Sequence, residues 1–292
     1  MCDNHTVEEN ELYLAMQKKM NRRQFGKLGA GAALTMMLPA VANAQDVMEM
    51  DVNIQTPDGM ADCYFVHPTS GQHAAVIIWP DILGLRPAFR AMGKRLAQSG
   101  YSVLVVNPFY RSAKSPVVGP GASFADPAIS AIVRPMAGQL NATTHVTDAN
   151  AFINWVDQQP SVDTNRKIGT TGYCMGGPIV MRTMSNFPER MGAGGSFHGG
   201  GLNTANPDSP HLGIPNMDGR MLIAIATNDD ERDPESKYVL RRSFAAAQVP
   251  AEVLVYDDAN HGWCVPDSAV YNEAQAERAW SRLLATFEIA LA

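Results

Sequence analysis

Gly172-Tyr173-Cys174-Met175-Gly176-Gly177 is the stretch on which the reading of this 292-residue chain turns. The residues before it, Lys167 to Thr171, read as a buried strand, and Pro178 to Phe187 read as a helix. A strand, a sharp turn and a helix, with a nucleophilic residue between flanking glycines, form a nucleophile elbow, here with cysteine in place of the usual serine. The glycines leave room where strand and helix approach closely. The turn lifts one side chain above the sheet edge, beside the positive end of a helix, where a thiol is favoured as thiolate.

Working outward, the chain alternates strands and helices. Met48 to Gln55 and Met60 to His67 read as two strands joined by the turn Thr56-Pro57-Asp58-Gly59. Ala74 to Trp79 is a continuous apolar run, as expected of a central strand buried on both faces. A helix over Pro87 to Ser99 and a strand over Tyr101 to Val106 follow. Arg111 to Leu140, rich in Pro and Gly, reads as an irregular segment with one short helix at most, leaving the strand end where active-site loops lie. Asn141 to Gln159 is a helix feeding the elbow strand. Beyond the elbow come strands at Ala193 to Phe197, Arg220 to Ala226 and Ala251 to Tyr256, and helices at Pro234 to Gln248 and Ser268 to Leu291. The pattern predicts a mostly parallel sheet covered by helices on both faces, in one α/β domain over residues 45–292.

A cysteine nucleophile needs a base within hydrogen-bond reach and an acid to orient that base. The strand ending at Ala226 runs into Thr227-Asn228-Asp229-Asp230-Glu231-Arg232-Asp233-Pro234. The strand ending at Tyr256 runs into Asp257-Asp258-Ala259-Asn260-His261-Gly262-Trp263. The order nucleophile, acid, base, each on the loop after a strand, is that of α/β-hydrolases. His261 is the candidate base. Asp230 is the candidate acid, with Asp229 and Asp233 as alternatives on the same loop. The amides of Met175 and Ile82 are the candidate oxyanion hole. His67, His73, His145 and His211 lack such a setting and read as structural; no pair has metal-ligand spacing, and no metal is expected.

The mature chain resembles the dienelactone hydrolase family from about residue 50 to residue 290. The resemblance is carried by Trp79-Pro80-Asp81-Ile82-Leu83-Gly84, by Leu96-Ala97-Gln98-Ser99-Gly100-Tyr101, and by Asn107-Pro108-Phe109-Tyr110-Arg111. It is carried equally by the elbow, by Asp230 with Pro234 four residues on, and by His261-Gly262-Trp263. It implies an α/β-hydrolase fold with little or no cap and a triad of Cys174, His261 and Asp230. It also implies a glutamate that contacts the thiol at rest; that position is Asp81 here. Arginines that hold a substrate carboxylate in the family, one just beyond the catalytic histidine, have no counterpart among Cys264, Val265 and Pro266. Tyr173, His198 and Trp263 are candidate pocket residues, and Cys264 reads as a small packing residue. The expected activity is thiol-dependent hydrolysis of a small carboxylic ester or lactone, without a cofactor. The alternatives are a thioesterase or general carboxylesterase, and a redox-active thiol that does not turn over.

The N-terminus reads as a separate object. Asn21-Arg22-Arg23-Gln24-Phe25-Gly26-Lys27, an apolar run from Leu28 to Leu38 and Val41-Ala42-Asn43-Ala44 have the order of a twin-arginine export signal. Residues 1–44 are expected to be removed, with residues 20–44 engaging the export machinery and Met20 an alternative start. The expected location is periplasmic or secreted. Of four cysteines, Cys63, Cys174 and Cys264 would remain, an odd number that leaves a thiol unpaired. A net charge of −6 argues against nucleic acid or anionic membrane as partner, and the body has no run that would serve as a membrane anchor.

Overall fold

The structure, a computed structural model, describes residues 4–20 and 38–292. Its strands are β1 (Val47–Thr56), β2 (Gly59–Pro68), β3 (Ala75–Trp79), β4 (Ser102–Val105), β5 (Ile168–Tyr173), β6 (Met191–Phe197), β7 (Arg220–Ala226) and β8 (Ala251–Tyr256). Its helices are α1 (Asn4–Met20), α2 (Pro87–Gln98), α3 (Pro127–Ala137), α4 (Ala142–Val156), α5 (Gly176–Asn186), α6 (Thr227–Arg232), α7 (Ser236–Ala246) and α8 (Glu273–Ala290). A 3₁₀ segment spans Pro210–Asn216.

The strands form one eight-stranded sheet in the order β1-β2-β4-β3-β5-β6-β7-β8. β2 pairs antiparallel with β1 and β4, and every other pairing is parallel. This is the expected α/β-hydrolase arrangement. All five residues of β3 are buried, as its unbroken apolar run requires. The Trp79 indole N–H donates to Thr170 Oγ1 at 3.0 Å, so the buried ring has its polar partner across β3 and β5.

Two apolar layers cover the sheet. On one face Phe89 and Leu96 of α2 and Leu283 and Phe287 of α8 pack against Val76, Ile78 and Leu222. On the other, Phe152 of α4, Val180 of α5 and Phe244 of α7 pack against Ile77, Leu104 and Ile223. A third cluster is small and joins Phe109, Val118 and Val133 to Ile82, Cys174 and Met175. Residues 111–140 therefore do cover the elbow, with α3 as their helix. Pro127 opens α3 at a position whose N–H has no helical acceptor, and Asp126 caps it by accepting from the Ala128 N–H.

The turn between β5 and α5 has no spare space. A Cβ added at Gly176 would lie 2.3 Å from the Trp79 carbonyl oxygen, and one at Gly172 would lie 2.4 Å from the Gly176 oxygen. Both obstacles are backbone, which cannot step aside without moving β3 or α5. Gly176→Ala is therefore expected to cost about 3 kcal/mol of stability. The check is the urea midpoint of the variant beside wild type; an unchanged midpoint would mean the strand and helix separate freely.

Two helices were not expected. α6 forms where an acidic loop was read. α1 forms in residues ahead of the arginine pair; Arg22, Arg23 and most of the apolar run after them lie outside the described residues. Among the described residues no helix is long and apolar enough to cross a membrane. The Gln45 N–H donates to the Gln98 carbonyl at 3.0 Å, so the body is already engaged one residue after Ala44.

Candidate active site

The C-terminal ends of β3, β5, β6, β7 and β8 converge on one edge of the sheet, where open α/β folds bind their ligands. Cys174 follows β5 at once, with φ of +52°, in the left-handed region that a side chain with a Cβ adopts only under constraint. The constraint is visible: the Cys174 N–H donates to the Phe197 carbonyl at 3.0 Å, and its own carbonyl accepts from Gly177 at 3.1 Å. α5 begins two residues later, so the thiol stands at a helix N-terminus. Its exposure is 1%.

His261 lies on the loop after β8 and is hydrogen-bonded to the Cys174 thiol. Its Nδ1 lies 2.7 Å from Asp229 Oδ2. The expected acid, Asp230, is not the partner. Both Asp230 oxygens accept from Lys237 Nζ, at 2.7 and 2.6 Å. The physical reason is α6: successive side chains on a helix diverge by about 100°, so when Asp229 faces the imidazole, Asp230 faces α7. A second residue of this helix, Asn228, accepts the His261 backbone N–H at 2.9 Å. Thr227 completes the tie, donating its N–H to the Ala259 carbonyl and its hydroxyl to the Tyr256 carbonyl.

Burial disfavours a charged His261, but the Asp229 carboxylate and the Cys174 thiolate outweigh it and raise its pKa to about 10. A positive charge on His261 is therefore favoured where the ring faces Cys174, with Asp229 on its other side. The folded value lies above the usual 6.5, so the stability that the protonated His261 contributes is complete below pH 6.5. It is lost as pH rises through about 10.

Asp81 sits in the turn after β3. Both of its carboxylate oxygens accept from Arg86, at 2.7 and 2.9 Å, and Oδ1 also accepts from the Leu83 N–H at 2.9 Å. The expected grip of this carboxylate on the thiol is thus replaced by a grip on a guanidinium and a turn. Burial pushes the Asp81 pKa up, Arg86 pulls it down, and the thiolate charge at Cys174 is close enough to add to the rise.

A cavity of about 510 Å³ opens next to the elbow, lined by Ile82 and by Met175, the neighbour of Cys174, together with Arg134, His145, Arg182 and Gly200; Cys174 and His261 lie behind this lining. Tyr173, His198 and Trp263 do not line it, which corrects the expectation for all three. Tyr173 ends a strand, so its ring turns down onto the α2–α8 face, stacked on Phe197 at 5.1 Å. Trp263 is fully buried and stacks on Tyr256 at 5.2 Å. His198, with φ of +40°, lies behind His261, ring centroids 4.9 Å apart. Burial and the neighbouring His261 charge hold it neutral, and neither ring nitrogen has a hydrogen-bond partner. Cys264 is buried among these rings, as a packing residue would be.

Three cavity residues escaped the sequence. His145 was read as structural, yet it lines the cavity. Its Nδ1 lies 3.1 Å from Arg182 Nη1, and burial with that neighbouring charge holds its pKa down at about 3. Arg182 also donates to the Asp208 carbonyl at 2.9 Å, and Arg134 stacks over Phe124. None of the three lies in a motif; they meet through the packing of α3, α4 and α5.

α1 rests on the acid and base loops. Glu9 Oε2 accepts from Asn228 at 2.8 Å and from Arg232 at 2.6 Å. Asn10 Nδ2 donates to the His261 carbonyl at 3.0 Å, and the Tyr13 hydroxyl donates to the Asp258 carbonyl at 3.1 Å.

Comparison with known proteins agrees with this architecture. A putative carboxymethylenebutenolidase of Salmonella typhi is 24% identical over 253 residues, covering 80% of this chain and 90% of that protein. The carboxymethylenebutenolidase of Rhodococcus opacus is 25% identical over 230 residues, covering 77% and 85%. The crystal structure of a putative dienelactone hydrolase from Klebsiella pneumoniae superposes with a TM-score of 0.72 at 20% identity, over 84% of this chain and 99% of that one. The family model of the dienelactone hydrolases matches residues 61–291, and the chain belongs to the dienelactone hydrolase family.

Proposed function

We propose that the protein hydrolyses carboxylic esters or lactones through an acyl-enzyme on Cys174. The observation that carries this reading is the chain of contacts from the Cys174 thiol to His261 and on to Asp229 at 2.7 Å, beside a cavity large enough for a small acyl group. The thiolate attacks the carbonyl carbon, and the Met175 and Ile82 amides receive the oxyanion. The imidazolium protonates the leaving alkoxide. His261, then neutral, takes a proton from water, which attacks the thioester and returns the thiolate. Thiolates leave tetrahedral intermediates readily, which suits activated esters and enol lactones better than amides. Arg134 and Arg182, against the single carboxylate of Asp208, leave the cavity wall net positive, so an acyl group carrying a carboxylate fits its charge. The reading places this chemistry outside the cytoplasm, on the strength of Arg22-Arg23 and Ala42-Asn43-Ala44.

The test is p-nitrophenyl acetate with reductant present, quenched in acid early in turnover. The expected result is steady hydrolysis with an acetyl group on the tryptic peptide that contains Cys174. Turnover with acetylation elsewhere, or none, would reject the mechanism.

A further inference from the structure

Arg86 stands at the entrance to α2 with a side chain 5% exposed, and it spends every N–H on the active-site edge. Nη1 and Nη2 donate to the two Asp81 oxygens. Nε and Nη2 donate to Oδ2 and Oδ1 of Asp267 at 2.7 and 2.8 Å, and Nη1 also reaches the Gly84 carbonyl at 3.2 Å. The guanidinium carbon lies 5.0 Å from the centre of the Phe89 ring. Its two carboxylates belong to different loops. Asp81 is next to Ile82, in the turn that closes the cavity on one side. Asp267 lies six residues after His261, on the loop that carries the base. A planar fork with five donors in fixed directions sets both distances at once, which an ammonium on a flexible stem cannot do.

The same grip decides where a carboxylate charge lies. Cys174 is faced by His261, with Asp229 and the buried neutral His198 behind it, and by Asp81, with Arg86 and Asp267 behind it. Freed from Arg86, the Asp81 carboxylate charge would oppose a thiolate at Cys174.

We propose that Arg86 is a positioning residue. It staples the Ile82 turn to the His261 loop and holds the Asp81 carboxylate on itself, so that the Cys174 proton passes to His261. This rests on Cys174 as the nucleophile of the proposed function.

The test is the pH dependence of Cys174 alkylation by iodoacetamide in the full chain, read site by site by peptide mass spectrometry, with ester turnover measured in parallel. Arg86→Gln is expected to raise the alkylation midpoint by about one pH unit. The matching loss in kcat/KM, measured at a pH below both midpoints, is about tenfold. Adding Asp81→Asn to that variant is expected to bring the midpoint back to the wild-type value. A residue that served stability alone would not be rescued by a second substitution. Arg86→Lys keeps the charge without the fork, and is expected to fold and to fall between the two. An unchanged midpoint in Arg86→Gln, a raised midpoint that Asp81→Asn leaves in place, or an Arg86→Lys variant identical to wild type in midpoint and turnover would overturn the proposal. Alkylation needs no turnover. A wild-type protein that alkylates but hydrolyses no ester rejects the hydrolase reading, while the midpoints still judge Arg86.

Discussion

Cys174→Ala is expected to lower ester turnover on the order of 10⁵- to 10⁶-fold while the fold persists, because loss of a nucleophile that works as a unit with its base removes nearly all of their joint effect. The residue's backbone is held at φ of +52° by its bonds to Phe197 and Gly177, and alanine has the same Cβ to place there. The amides of Ile82 and Met175 and the cavity remain, so the variant should still bind substrate. Cys63 and Cys264 provide the control. Burial pushes the Cys63 and Cys264 thiols up, away from the reactive thiolate form. Alanine at either should leave kcat within a few-fold, by the usual insensitivity of chemistry to packing changes away from the reacting atoms. The measurement is steady-state hydrolysis of p-nitrophenyl acetate by the three variants. Equal losses in all three would point to a folding effect, and retained turnover in Cys174→Ala would remove the nucleophile.

Asp229→Asn is expected to cost on the order of 10⁴ in kcat, since an amide neither stabilises the imidazolium nor holds the same tautomer. Asp230→Asn is the informative partner. It breaks only the pair with Lys237, a partly exposed contact of the kind worth up to about 1 kcal/mol, and should leave kcat nearly as it was. The thiol must feel the same change. Without Asp229 the principal attraction that raises His261 is gone, and the alkylation midpoint of Cys174 rises with it. If Asp230→Asn were the damaging substitution, α6 would have to turn by about one residue step, roughly 100°.

That contrast also marks the limit of what the sequence carried. The elbow, the parallel sheet and the loops that bring Cys174, Asp229 and His261 together were legible, because each rests on short-range signals: buried apolar runs, glycines at a sharp turn, strand ends. The aspartate that contacts His261 was legible to within one residue. Choosing between Asp229 and Asp230 needs the phase of a six-residue helix, and a run of polar residues does not announce a phase. Tyr173 and Trp263 were misplaced for a related reason: adjacency in sequence to Cys174 and His261 says nothing about which way a ring turns, and both turn into the α2–α8 layer. The cavity wall was illegible altogether. Arg134, His145 and Arg182 come from three helices, and Arg86 meets Asp267 across 181 positions of sequence, distances no local pattern spans.

α1 touches the body through Asn228, Arg232, Asp258 and His261, which belong to the two segments that present Asp229 and His261. Thermodynamic linkage makes such a contact reciprocal. Whatever free energy α1 contributes to fixing those loops, a ligand that fixes them contributes equally to holding α1. A chain bearing residues 4–20 and one beginning at residue 45 are in that sense expected to differ in their affinity for such a ligand by that same free energy.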